Sequence, residues 1–259
     1  YRNNSSLIIN IMKSTLKTSK NKFYSIFNIS LLMSLIFWLL ALLRHYFFQS
    51  NAYDLGLFDQ WLWLQSKGLP PFSSMTGLHI FADHGAWFLY IAAYVYKLIP
   101  NINLLLLSQS LALCFTTIPI WKISKDASLD DKNCFLICII YLLQPVVFNV
   151  NLFDFHPEVW AMPFIAFCYL AERKGKFYLW ILSIFIILGT RDGLVLFVFG
   201  LSLEQLIKRK WIWAISSFSL GGIWLFFLNN IIYPNLNEGK GSIMALDRYS
   251  YLGNSLNEI

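Results

Sequence analysis

Long apolar stretches separated by short polar runs constrain this chain more than any other feature. A helix needs about 20 mostly apolar residues to cross a bilayer. Charged residues make up only 13% of the chain, about half the fraction in soluble domains. This composition excludes a disordered chain, a coiled coil and a disulfide scaffold, and it predicts an all-α, polytopic helical membrane protein. The seven predicted spans are 25–43, 102–121, 133–150, 159–171, 177–190, 193–207 and 211–232.

The basic residues fall in the N-terminal segment 1–24 and in the loops that contain Lys122, Lys174 and Lys208. If all seven stretches cross, every basic cluster lies on one side, which the positive-inside rule makes cytoplasmic. The aromatic helix at 86–99 is predicted to lie at the interface, because a crossing there would place the later clusters outside. The net charge of +6 then has a topological cause, and no nucleic acid partner is expected.

The polar residues outside the basic loops fall on the opposite, outer side. The first outer loop, 44–101, is too long for a simple connector and is predicted to be functional. It belongs to a transmembrane module at 25–233. The following outer-side segment, 234–259, is expected to be cut short in this sequence. We expect an integral protein of a bacterial plasma membrane with its chemistry on the outer face.

Asp54 and Asp59 lie just beyond the first span, in the sequence DLGLFDQ. Asp54 can act as a helix N-cap and Asp59 as an exposed polar residue. Alternatively, a carboxylate at the membrane surface can act as a general base. Both interpretations stay open on the residues alone.

The sequence DFHPE places Asp154, His156 and Glu158 between two predicted spans. Pro157 and Glu158 are typical of a helix start. Three ionisable groups at a membrane boundary are costly, however, and usually mark a site. They are also candidate ligands for a divalent cation, although their spacing matches no specific metal motif.

Three further segments supply candidate site residues. Arg191, in an Asp-Gly turn, is suited to a bidentate grip on phosphate. His79 and His84 could be metal ligands or the polar rim of a surface helix. Arg248 follows the last span and would add a second outer cation, although it could simply belong to a loop.

Several of these motifs together resemble a known family. The sequences DLGLFDQ, FADHG, DFHPE after LLQP, RDG and RYSYLG are similar to those of a domain-of-unknown-function family of bacterial and archaeal polytopic membrane proteins. That family is grouped with the GT-C superfamily of integral-membrane glycosyltransferases, which includes the protein mannosyltransferases and the aminoarabinose transferase of lipid A. The resemblance covers roughly residues 35–259, and FHPE and the Asp54 motif are its most specific parts.

The resemblance implies a GT-C-like module with a cytoplasmic N-terminus and juxtamembrane helices in the first outer loop. It implies a polyprenyl-phosphate sugar donor and a catalytic base in that loop, which by position would be Asp54. An acidic group at the outer end of the third span would be Asp154 or Glu158. One departure is that Asp54 and Asp59 do not form the paired-acid signature of some GT-C families.

The sequence-based hypothesis is therefore a glycosyltransferase in which Asp54 deprotonates an acceptor hydroxyl. Arg191 and Arg248 would bind the donor phosphate, with His156 and Asp59 in the same substrate site. No cofactor is certain. A divalent metal is a candidate helper, and its candidate ligands are His79, His84, His156 and Glu158.

The alternative hypothesis is a non-enzymatic protein that binds or moves membrane lipids on the same scaffold. It would use the same cavity and cations and would need no base. A solute transporter is disfavoured, because charged groups are almost absent from the predicted spans.

Overall fold

The computed structural model describes residues 2–236, and it describes the side chains of residues 24–236 apart from Ala52 and Ile80. Residues 2–236 form helices joined by turns and loops and contain no strand, which confirms the predicted all-α class. The α-helices are α1 (Arg2–Tyr46), α2 (Leu57–Ser66), α3 (Ile80–His84), α4 (Phe88–Leu98), α5 (Ile102–Phe115), α6 (Thr117–Asp126), α7 (Asp131–Leu142), α8 (Pro145–Leu152), α9 (Ala161–Lys174), α10 (Phe177–Thr190), α11 (Val195–Ile207), α12 (Trp211–Phe227) and α13 (Tyr233–Leu236).

Three segments within residues 2–236 are long and apolar enough to cross a membrane. They are Tyr24–Tyr46 in α1, Ile102–Asp126 across α5 and α6, and Trp211–Leu236 from α12 to α13. The pair α7 and α8 is bent by 44° and counts as a fourth if it is taken as one span. These segments coincide with four of the predicted stretches.

The other three predicted stretches form shorter helices. Helices α9 and α10 have 14 residues each and α11 has 13, or about 20 Å at 1.5 Å per residue. The hydrocarbon core of a bilayer is about 30 Å thick. Gly175 ends α9 in the left-handed conformation (φ 64°), and the extended backbone of Arg191 ends α10. The helices lie where the sequence predicts them, but seven full-length spans are not confirmed.

The bend between α7 and α8 has a local cause at Pro145. Proline has no N–H to donate, and its ring clashes with the carbonyl four residues earlier. The residue before it, Gln144, is extended (φ −64°, ψ 130°), as the steric demand of the proline ring favours. The bend carries α8 toward Asp154 and the turn that follows.

Large apolar side chains cover the outer surface of the helices. Along α12, five such residues are each more than 60% exposed. They are Ile212, Ile215, Phe218, Ile223 and Phe226. An apolar face of this size would be an interaction or aggregation surface in water, whereas in a bilayer it faces lipid tails.

Contacts between distant segments bring several turns together at one end of the helices. Arg44, at the end of α1, binds Asp154 in the turn after α8. Tyr233, at the start of α13, donates a hydrogen bond to Asp192 in the turn after α10. We call this region the polar end. It lies above a buried aromatic core formed mainly by α2, α4 and α5.

A second group of contacts joins the loops at the opposite end of the same helices. Asp126, the last residue of α6, accepts a hydrogen bond of 2.8 Å from Arg173 near the end of α9. Glu172 on α9 binds Lys208 and Lys210, which lie between α11 and α12. These contacts bring the basic loops together, as they must be if they face the same side of a membrane. We call this region the lysine-rich end.

Candidate functional site

Asp154 is the most buried carboxylate of the polar end, and both of its oxygens are bound. Its side chain is 1% exposed. One oxygen accepts a hydrogen bond of 2.5 Å from Arg44, and the other accepts one of 2.6 Å from the backbone N–H of Asn51. Asp154 therefore ties the chain that follows α1 to the turn that follows α8. This arrangement suits a positioning role, since both oxygens are engaged by the protein and the side chain is almost completely buried.

Gln109, a buried residue of α5, holds the same turn from below. Its side-chain nitrogen lies 3.1–3.4 Å from four carbonyl oxygens, those of Val150, Asn151, Phe153 and Asp154. Its side-chain oxygen accepts a hydrogen bond of 3.0 Å from the backbone N–H of His156. The turn is therefore anchored to a polar residue inside an otherwise apolar helix.

Asp54 and His156 face each other across the site. Asp54 lies in a π-helical turn, Ala52–Gly56, whose first residues are capped by the Asn51 side chain. The distance from Asp54 Oδ1 to His156 Nε2 is 3.8 Å. The Nδ1 atom of His156 lies 3.0 Å from the carbonyl oxygen of Asp154. A carbonyl oxygen can only accept, so Nδ1 carries a proton and Nε2 is directed at Asp54.

Glu158 and Arg191 form a second pair, with 2.8 Å between Glu158 Oε1 and Arg191 Nη1. Both side chains are partly exposed, at 29% and 27%. The second oxygen of Glu158 is buried and has no hydrogen-bond partner among the described residues. A guanidinium has five N–H groups, so Arg191 keeps further donors beyond the one given to Glu158.

The first loop contributes a third pair next to these residues. Asp83 Oδ2 lies 3.2 Å from His84 Nδ1, and both atoms are buried without a hydrogen bond within residues 24–236. The next residue, Gly85, is left-handed, and a Cβ there would lie 3.0 Å from Asp192 and 3.2 Å from the Tyr233 hydroxyl. Only glycine allows the loop to approach this closely.

Phe58 on α2 lies between the pairs. Its ring makes edge contacts with His84, at 5.2 Å between centroids, and with His156, at 6.3 Å. It also contacts Phe155 at 5.5 Å, and Phe155 in turn contacts Trp160 at 5.1 Å. The ionisable groups therefore surround a rigid aromatic core.

An apolar groove of about 370 Å³ runs beside this core. Helices α4, α5 and α9 form its walls, and Trp160 lies at its boundary. Its polar lining residues are Ser108, which accepts a hydrogen bond from Trp160 Nε1, and Tyr96. The groove therefore offers a hydrocarbon chain a path toward the polar end.

Other predicted site residues lie apart from these pairs. Asp59 accepts a hydrogen bond from Tyr96 on α4 and so joins α2 to α4. His79 caps α3 by accepting a hydrogen bond from the backbone N–H of Phe81, and burial lowers its pKa. Arg248 lies outside the described residues.

The described residues contain no group of three or more His, Cys, Asp or Glu side chains that could hold a metal ion. The four predicted ligands are instead engaged separately. His79 lies in its cap, His84 beside Asp83, His156 beside Asp54, and Glu158 against Arg191.

Sequence reasoning missed three residues of the polar end. Arg44 was not among the candidates, although it binds Asp154. Tyr233 and Gln109 were also missed. A signal existed for Gln109, because Ser108, Gln109 and Ser110 interrupt the apolar run of α5. No local signal marks Arg44 or Tyr233, since their partners lie 110 and 41 residues away.

Long apolar helices with exposed apolar faces define this chain as an integral membrane protein. Residues 44–259 match a family described as "Predicted membrane protein (DUF2079)", and the chain belongs to that family. No curated protein and no solved structure matches the chain.

Proposed function

We propose that this chain is a GT-C-like glycosyltransferase, which transfers a sugar from a polyprenyl-phosphate donor to an acceptor hydroxyl at the polar end. The observation that carries the proposal is the meeting of the Asp54–His156 pair and the Glu158–Arg191 pair beside an apolar groove. A carboxylate, a cation and a hydrocarbon path are the three elements that a lipid-phosphate sugar requires. The sequence resemblance to the GT-C superfamily points to the same chemistry.

The donor would enter from the lipid through the groove between α4, α5 and α9. Its polyprenyl chain would lie against apolar side chains such as Ile91, Val95 and Leu111. Its phosphate would then lie beyond Trp160, at Arg191, which pairs with Glu158 in the same turn as Trp160. This entry keeps the apolar chain out of water while the phosphate reaches the polar end.

Asp54 is the proposed base. It would take the proton of the acceptor hydroxyl as the acceptor oxygen bonds to the anomeric carbon. The bond from that carbon to the phosphate oxygen breaks at the same time, and the lipid phosphate leaves with the bonding electrons. A single in-line displacement of this kind inverts the anomeric centre. His156 Nε2 faces Asp54 and would lie beside the acceptor hydroxyl in the same substrate site.

Arg191 is the proposed phosphate-binding residue within residues 24–236. Charge develops on the phosphate oxygens as the bond breaks, and a fixed cation lowers the energy of that state. Arg191 is held in place by Glu158, and its remaining N–H groups are suited to phosphate oxygens. The unpaired Glu158 oxygen is suited to accept a hydrogen bond from a sugar hydroxyl.

The proposal includes seven helical passes: the three long spans, the bent α7–α8 pair taken as one crossing, and α9, α10 and α11. Supporting this, Arg44, Asp154 and Asp192 follow α1, α8 and α10 at the polar end, and Lys208 follows α11 at the other. The positive-inside rule places the lysine-rich end in the cytoplasm of a bacterium and the polar end outside.

The test compares Asp54→Asn with Asp59→Asn in a strain that lacks the native gene. A general base contributes roughly 10²–10⁴-fold to rate, so Asp54→Asn should lose turnover by about that factor. Its lipid extract should accumulate a polyprenyl-phosphate sugar, as measured by mass spectrometry. Asp59→Asn is the matched control, since Asp59 lies against Tyr96 on α4, and it should behave as the wild type.

Full complementation by Asp54→Asn, at normal membrane levels of the protein, would refute the assignment of the base. It would favour the lipid-binding alternative, in which the same groove and cations are used without proton transfer. Equal loss in both variants would point to a folding defect in α2 and its preceding turn.

A further inference from the structure

A large cavity opens at the lysine-rich end, on the side of the molecule away from Asp54. Its volume is about 830 Å³, and it lies between Tyr24 of α1 and helices α6, α9 and α10. Four lysines line it, and a single carboxylate, Asp126, lies among them. The four are Lys122, Lys125, Lys174 and Lys176.

The charges of the cavity are only partly neutralised by the protein. Lys125 donates to Asp131 at 2.9 Å. Lys174 shares Asp126 with Arg173, so one carboxylate faces two cations. Lys176 makes no ion pair with any residue in 24–236. The lining therefore carries an excess of positive charge and is complementary to an anion such as a phosphate group.

The remaining walls of the cavity are apolar and aromatic, and such walls favour a lipid over a free anion. Trp121, Phe167, Leu170 and Leu179 line the cavity. The neighbouring surface of α10 exposes further apolar side chains, with Leu182 50% exposed. An anion held by the lysines would thus have room for acyl chains along an apolar surface.

We propose that this cavity binds an anionic diacyl phospholipid of the surrounding leaflet, with the phosphate among the lysines and the acyl chains along α10. Basic pockets between membrane helices on the cytoplasmic side recognise lipid headgroups in this way. The site needs only that the chain lies in a membrane, so it is independent of Asp54 and of the proposed transfer reaction.

The test measures binding of phosphatidylglycerol to the purified full chain by native mass spectrometry, with phosphatidylcholine of the same acyl chains as reference. Each lysine near an anionic headgroup contributes about fivefold in affinity, so Lys122→Gln/Lys176→Gln should weaken phosphatidylglycerol binding about 25-fold. The matched control, Lys132→Gln/Arg209→Gln, removes the same charge at the same end outside the cavity. It should change the affinity less than threefold.

Equal weakening in the two double variants would overturn the proposal, because a diffuse surface charge would explain it. No weakening in Lys122→Gln/Lys176→Gln would overturn it as well. Competition with glycerol 3-phosphate tests whether the site binds a free phosphate instead of a lipid. If glycerol 3-phosphate displaces phosphatidylglycerol at an equal concentration, the site takes a free phosphate and the lipid assignment is wrong. Loss of transfer activity in Asp54→Asn does not bear on this result.

Discussion

Breaking the Arg44–Asp154 ion pair should destabilise the protein by a measurable amount. Asp154→Ala removes two short hydrogen bonds, from Arg44 and from the backbone of Asn51. Hydrogen bonds to charged groups contribute about 1.5–3 kcal/mol each, so the loss lies between about 3 and 6 kcal/mol. The Arg44 side chain is 25% exposed, and water can solvate the freed guanidinium. We therefore expect the lower value, about 3 kcal/mol.

The assay is thermal unfolding of the purified chain in detergent, followed by circular dichroism. A change of 1 kcal/mol shifts the midpoint of a chain of this size by about 2–4 °C, so Asp154→Ala should unfold about 6–12 °C lower. The double variant Arg44→Gln/Asp154→Ala controls for effects other than the pair. It should be less destabilised than the sum of the two single variants, because each single change already removes the shared interaction.

Additivity of the two single changes to within about 0.5 kcal/mol would refute the reasoning, since residues that do not interact behave in that way. A shift of less than 2 °C for Asp154→Ala, well below the expected 6–12 °C, would likewise show that the buried carboxylate does not hold the two turns together.

Three further predictions concern residues around the site. Gln109→Leu should cost about 1–3 kcal/mol, since it leaves the partly buried backbone N–H of His156 without its acceptor, and thermal unfolding measures the loss. Gly189→Ala should destabilise by about 1–3 kcal/mol, because the new Cβ would lie 2.2 Å from the Trp87 ring. Gly200→Ala, in open space on α11, is its control and should be neutral or stabilising. Burial lowers the pKa of His79 below 6.5, so its contribution to stability is complete above pH 6.5 and is lost as the pH falls through the lowered pKa. Between pH 7.5 and pH 5, the unfolding midpoint of His79→Phe should therefore fall less than that of the wild-type protein. An identical pH dependence of the midpoint in both proteins would contradict this assignment.

The helices could be predicted from the sequence because their signals are local. The apolar stretches at 25–43, 102–121 and 211–232 mark the long spans. The stretch 133–150 is predicted as one span, although Pro145 within it breaks the helix after α7. Helix length was harder to predict. Apolar residues such as those of α10 do not show that an extended Arg191 ends the helix after 14 residues.

The pairing of the site residues could be predicted only in part. The sequence grouped Asp54, His156 and Arg191 on one side, and the contacts of the polar end bring them into neighbouring pairs. It could not show that both oxygens of Asp154 are occupied, because one donor is a backbone N–H and the other is Arg44, 110 residues away. Such pairs depend on the tertiary fold, which the spacing of residues along the chain does not reveal.

The central claim is that the polar end handles a lipid-phosphate sugar with Asp54 as the base. Native mass spectrometry of the full-length protein, purified from its own membranes beside Asp54→Asn, tests this claim most directly. We predict a bound polyprenyl-phosphate sugar that accumulates in Asp54→Asn, because the donor still binds there but is not consumed. Only bulk phospholipid on both proteins would contradict the claim.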